Sequence, residues 1–102
     1  VMDTLSFADL TLNLSTGELS CNGSTLKLNF KEKDIMKIFL VSPDSVVSKE
    51  TLLNKVWGYD SEATDNNVEA YISFIRKKLK FLNSLVTIKN FQKTGYKLEA
   101  TK

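Results

Sequence analysis

Between Asp65 and Leu82 the apolar residues Val68, Tyr71, Ile72, Ile75, Leu79 and Leu82 recur every third or fourth position or fall beside one another. That interval is the period of an α-helix with one buried side, and no strand can hide such a set on a single face. A rotation of about 100° per residue from Val68 brings all six within about 60° of one direction. The opposite side then carries Asn66, Ala70, Ser73, Phe74, Lys77, Lys80 and Phe81. Glu69 and Arg76 lie on one flank, Asn67 and Lys78 on the other. Just beyond, Val86-Thr87-Ile88-Lys89-Asn90 and Gly95-Tyr96-Lys97-Leu98-Glu99 alternate in polarity, as the two strands of a hairpin do. The rest of the chain has to fold onto a long helix closed by a hairpin.

Charge singles out the same segment. Residues 1–30 carry one Lys against Asp3, Asp9 and Glu18, and residues 31–64 carry five Lys against six acidic residues. Residues 65–102 hold eight basic and three acidic residues, so the net +2 of the chain is gathered at its C-terminal end. A near-neutral protein with its cations on one helix and one hairpin has a side suited to a polyanion.

The remaining elements follow from spacing. Phe7, Leu10, Leu12, Leu14, Leu19, Leu26 and Leu28 are mostly two apart, which predicts a small antiparallel sheet of about four strands with one face buried. Ser15-Thr16-Gly17-Glu18 and, more strongly, Asn22-Gly23 supply its turns. Asn29 with Glu32 is a capping-box pattern that opens a first helix. Its stripe is Ile35, Ile38 and Phe39 with Met36 at the edge, and Ser42-Pro43-Asp44 stops it. Val46-Val47 is a short extended piece. Ser48 caps a second helix that buries Leu52, Leu53, Val56 and Trp57, and Thr64 or Asp65 caps the third. The expected fold class is α+β: a winged helix-turn-helix with an N-terminal four-stranded antiparallel sheet, three helices and a C-terminal β-hairpin wing. At 102 residues the chain is expected to form a single domain, residues 1–102.

Other chemistries find little support. The chain has no His, and its one Cys21 has no partner base, so no enzyme, cofactor or metal site is expected. Cys21 reads as a small buried hydrophobe beside a turn, fitting a reducing, cytoplasmic setting. No apolar run approaches a membrane span, and Val1–Leu5 lacks the character of a leader. The exposed side of the third helix, by contrast, suits double-stranded DNA. Asn pairs with an adenine edge in the major groove, Ala and Phe meet a thymine methyl, and Ser serves a base or a phosphate. Arg76, Lys77 and Lys80 suit phosphates. The alternative is a winged helix used for protein contact without DNA binding; such a module has no need to gather cations on the third helix and hairpin.

In order along the chain, Leu28-Asn29-Phe30-Lys31-Glu32, Ser48-Lys49-Glu50-Thr51-Leu52-Leu53-Asn54-Lys55-Val56-Trp57-Gly58-Tyr59, Val68-Glu69-Ala70-Tyr71-Ile72-Ser73-Phe74-Ile75-Arg76-Lys77-Lys78-Leu79 and Gly95-Tyr96-Lys97-Leu98 resemble the OmpR/PhoB-type winged-helix effector domain of bacterial two-component response regulators. The resemblance covers about residues 5 to 100. It implies transcription regulation by a third helix in the major groove: Asn66, Asn67, Ala70, Ser73, Phe74, Arg76, Lys77 and Lys80. It implies a wing, Asn90, Gln92, Lys93 and Thr94, on the minor groove or phosphates. It also implies a loop, Gly58, Tyr59, Asp60, Ser61 and Glu62, that can face RNA polymerase. Family members normally carry a receiver domain, absent from this sequence, whose phosphorylation promotes dimerisation on paired half-sites.

Three positions depart from the family pattern. Gln92-Lys93 stands where the family usually has Arg then Gly, Asn66 where it often has Arg, and Phe74 where it often has Arg. Fewer cations imply a shallower salt dependence of binding. An apolar Phe74 in the groove implies thymine-rich contacts.

Overall fold

The structure, a computed structural model, describes residues 3–101, so the expectation for the Val1–Leu5 start lies partly outside the described residues. Strands β1 (Thr4–Phe7), β2 (Leu10–Asn13), β3 (Glu18–Cys21) and β4 (Ser24–Lys27) pair antiparallel in chain order. Their register aligns Leu5, Leu12, Leu19 and Leu26 in one row, with Leu10 opposite Cys21. Leu10, Leu12, Leu19 and Cys21 are buried on the side that meets the helices. The other side carries hydroxyl pairs, Ser6 with Thr11 and Ser20 with Thr25, each 3.2 Å apart. Asn22 and Gly23 both take positive φ, 49° and 86°, as a primed hairpin turn requires.

The helices begin where the caps predict. Helix α1 (Phe30–Val41) opens on a closed capping box: Asn29 Oδ1 accepts from Glu32 N, and Glu32 Oε1 from Asn29 N, both at 2.9 Å. Its buried arc is Ile35, Met36, Phe39 and Leu40, while Ile38 is only partly covered. The arc is turned toward Met36 from the stripe expected, because α1 packs against β1 on one side and against α3 (Asp65–Phe81) on another. Helix α2 (Lys49–Leu52), capped by Ser48, runs into a π-helical turn at Leu53–Trp57, which Gly58 N–H closes on Leu53 O at 3.2 Å. At its other end α3 stops in a Schellman motif: Asn83, at φ 55°, donates to Lys80 O and Ser84 N–H to Leu79 O.

Strands β5 (Val86–Phe91) and β6 (Gly95–Ala100) form the C-terminal hairpin. The hairpin is tied to the body. Val47 N–H donates to Tyr96 O at 2.8 Å, and Tyr96 N–H to Val47 O at 2.9 Å, so the extended Val46-Val47 piece adds a one-residue bridge to β6. Gly95 makes this approach possible. A Cβ there would lie 2.2 Å from Val47 O, closer than any side chain can sit. One core cluster joins Leu12 and Leu19 of the sheet to Ile35 and Phe39 of α1, Leu52 of α2, Ile72 and Ile75 of α3, and Ile88 and Leu98 of the hairpin. The architecture is α+β, a winged helix-turn-helix with a four-stranded sheet in front. Among the described residues, no helix is long and apolar enough to cross a membrane.

Candidate nucleic-acid interface

Helix α3 lies in the phase its sequence predicts. Val68, Ile72, Ile75 and Leu79 are buried, and Tyr71 is half-buried. Asn66, Asn67, Ala70, Ser73, Phe74, Lys77 and Lys80 are exposed. Thr64 is the N-cap, and Asn67 Oδ1 accepts from Thr64 N–H at 2.8 Å. Asn67 is thereby half committed to the cap, with its amide NH₂ still free of that bond. The seven residues from Gly58 to Thr64 that join the π-turn to α3 are more than a tight helix-turn-helix connection holds.

The cations of α3 separate into two kinds. Lys78 reaches back to Glu32, which is only 1 % exposed and also caps α1, so this ion pair pins α3 to the start of α1. Arg76 turns the other way. Its Nε and Nη2 donate to Ile88 O of β5 at 3.0 and 2.7 Å, and its guanidinium lies 5.9 Å from the Tyr96 ring. The sequence placed Arg76 among the DNA contacts; two of its three nitrogens hold the hairpin beside the helix, and the residue is half-buried. Glu69 on the same flank is bonded to Lys49 at 2.8 Å, and that hydrogen bond holds the Lys49 ammonium pKa above its usual value. Lys77 and Lys80 enter no ion pair among the described residues. They are the α3 cations left to face an outside anion.

The hairpin stands next to that face. Ile88, Tyr96 and Leu98 bury its inner side. The turn is one residue shorter than expected: Asn90 pairs with Tyr96 and Phe91 with Gly95, and only Gln92, Lys93 and Thr94 lie between the strands. All three are exposed, as is Asn90. Thr94 N–H donates to Phe91 O at 2.9 Å, closing a turn in which Lys93 takes φ 67°, a left-handed conformation for a residue with a full side chain. A cleft of about 340 Å³ lies between this turn and the starts of α2 and α3, lined by Ser48, Lys49, Asp65, Gln92 and Lys93 among others. Lys49 was not singled out from sequence, since only the fold brings it there.

The loop from Gly58 to Glu62 follows directly on Trp57 at the end of the π-turn. Trp57 meets Tyr71 edge to face at 5.3 Å, and the Lys31 ammonium lies 5.2 Å from its ring centre. Tyr71 in turn meets Phe74 at 5.4 Å. Beyond Trp57 the loop is open: Tyr59 is 85 % exposed, and Asp60, Ser61 and Glu62 are exposed. Among the described residues, no group of three or more His, Cys, Asp or Glu is placed to hold a metal ion.

A helix presenting amides, a hydroxyl, a methyl and unpaired cations, with a hairpin fixed at its side, defines a winged-helix DNA-binding domain of the kind that regulates transcription. Residues 23–98 match the family described as "Transcriptional regulatory protein, C terminal", and the chain belongs to that OmpR/PhoB-type family. It is 34% identical over 95 residues to the heme response regulator HssR of Staphylococcus aureus (strain Newman), across 93% of this chain and 42% of HssR. The chain thus spans less than half the length of that relative. Among solved structures, the DNA-binding domain of E. coli CadC superposes with a TM-score of 0.85 at 30% identity, covering 97% of this chain and 94% of that one. The C-terminal domain of the nisin resistance regulator NsrR, a lantibiotic response regulator, gives 0.78 at 34% identity, over 92% and 94% of the two chains.

Proposed function

We propose that the chain acts as one domain that lays α3 in the major groove of double-stranded DNA and sets its wing on the neighbouring minor groove or phosphates. The observation that carries this reading is the exposed face of α3. Asn66, Ala70, Ser73 and Phe74 stand beside Lys77 and Lys80, whose charges no acid of the described residues neutralises. In this reading Asn66 and the free amide of Asn67 meet base edges, while Ser73 meets a base or phosphate. Lys77 and Lys80 hold phosphates, and Arg76 serves by fixing the wing that carries Asn90, Gln92, Lys93 and Thr94. The test is affinity for selected and random duplexes across a salt series. Lys77→Ala is expected to weaken both alike and flatten the salt slope by about one unit. Asn66→Ala is expected to cost about 1–3 kcal/mol at one base position only. Equal loss on every sequence for Asn66→Ala assigns that residue to phosphate instead.

The likeness to response regulators supports a wider setting. In it the chain is the effector end of a cytoplasmic, non-enzymatic protein, whose phosphorylation brings two copies onto paired half-sites. The loop Gly58–Glu62 then faces RNA polymerase, a role supported by the exposure of Tyr59 and the acids beside it. Charge reversal at Asp60 or Glu62 is expected to change transcription from a dependent promoter while leaving DNA affinity intact.

A further inference from the structure

We infer that Phe74 reads the 5-methyl group of one thymine in the bound site, with Tyr71 as the residue that positions it. This deepens, and rests on, the DNA-binding reading above. Phe74 is 45 % exposed on the polar side of α3, one turn from Ala70 and beside Ser73 and Lys77. Its ring meets Tyr71 edge to face at 5.4 Å and 67°, and Tyr71 meets Trp57 at 5.3 Å and 79°. These contacts run inward from the helix surface to the core. They pack one side of Phe74 against Tyr71 while just under half of the residue stays exposed, and they limit the rotamers the ring can visit. A phenyl ring donates and accepts no ordinary hydrogen bond, so it cannot serve a phosphate or a polar base edge. The apolar feature that an unmodified base pair presents in the major groove is the thymine methyl. Ala70 continues the same apolar strip one turn away, while the unpaired Lys77 lies on its other side to hold the strand. A 5-methylcytosine offers the same methyl group on a different pair, and the test separates the two.

Duplexes bound by the wild-type chain are selected from a random library. Each thymine of the selected site is then replaced singly by deoxyuridine, which removes the methyl and nothing else. At one thymine the replacement is expected to weaken wild-type binding about fourfold, the effect of burying one methyl-sized group, and to weaken Phe74→Ala less than about 1.5-fold. Tyr71→Leu keeps Phe74 but removes its support, so the same penalty is expected to shrink while thermal melting confirms a folded chain. Phe74→Leu, which retains an apolar tip, is expected to keep part of it. Exchange of that thymine–adenine pair for 5-methylcytosine–guanine or cytosine–guanine tells whether the methyl alone or the thymine pair is read: a gain from the cytosine methyl in wild type, absent in Phe74→Ala, supports the contact. A selected site with no methyl-sensitive thymine, or a penalty unchanged in Phe74→Ala, overturns the inference and leaves DNA binding standing. Enrichment of no duplex by the wild-type chain overturns the DNA reading and this inference together.

Discussion

At the scale of single residues, Lys93 sets stability against binding. Its φ of 67° is a conformation that a side chain with a Cβ pays for, and that glycine adopts freely. Its ammonium is nevertheless the only cation in the wing turn. Lys93→Gly is therefore expected to raise stability by about 0.5–1 kcal/mol, the relief of strain less the extra chain entropy of glycine. The same change is expected to weaken DNA binding and lower its salt dependence by about one unit. Denaturant melts and salt titrations on one preparation give both signs, and a variant that is neither more stable nor weaker in binding refutes the placement. The resemblance marked position 93 as one where this chain departs from the family pattern; the backbone that disfavours a side chain there appears only in the structure. Likewise Asn22-Gly23 announced its turn, while the turn between β1 and β2 did not. Asp9 is the one turn-forming residue there, and the positive φ, 53°, falls on Ala8, a residue type that does not mark such a bend.

At the scale of elements, local patterns were legible and distant partners were not. The phase of α3 and the capping box of α1 follow from residues within one or two turns of each other, so the sequence displays them directly. Three further features join segments far apart in the chain. Lys78 meets Glu32, Arg76 meets Ile88, and Val47 bridges to Tyr96. Spacing carries no record of these, nor of the Lys49–Glu69 pair, which is why Arg76 read as a free cation and Lys49 went unnoticed. The π-turn at Leu53–Trp57 was also invisible, because its apolar residues serve an ordinary helix equally well. The Arg76 latch makes a prediction about the wing. Lysine cannot donate a planar pair of bonds to one carbonyl, so Arg76→Lys is expected to cost about 1 kcal/mol. Backbone amides of β5 and β6 are expected to exchange faster, with those of α3 unchanged. Equal acceleration in both elements means that the latch supports the whole domain and not the wing in particular.

For the molecule as a whole, Asp9 joins the two ends of the chain. It lies in the turn between β1 and β2, and its carboxylate accepts from Ser84 Oγ at 2.7 Å and Leu85 N–H at 2.9 Å, just past α3. Partial burial pushes the Asp9 pKa up, but the hydrogen bonds from Leu85, Ser84 and the Cys21 thiol outweigh it, and the net value lies below the ordinary one. Burial, with the bond to Asp9 and its charge, pushes the Cys21 thiol up, so Cys21 stays an unreactive part of the core. A carboxyl lowered in the folded state adds stability above its unfolded value of about 3.9, and this is lost as pH falls through the folded value. Asp9→Asn is thus expected to be less stable than wild type at neutral pH, by about 1 kcal/mol. The two are expected to converge below about pH 4, as wild-type Asp9 takes up its proton. Parallel curves down to the lowest pH mean that Asp9 contributes shape and not charge.

The bridge between Val47 and Tyr96 has a consequence for the sites this domain accepts. Tied to Val47 through β6 and to Arg76 of the long helix through β5, the hairpin is held at both strands. Hairpin and helix behave as the jaws of a calliper with its hinge locked. In the binding mode proposed above, such an instrument measures an interval along the duplex as well as touching two places on it. A target with both contact points intact but displaced by one base pair has to bend or untwist to fit, and DNA sequences differ in how readily they do so. Selectivity of that kind lies in stretches that no side chain touches.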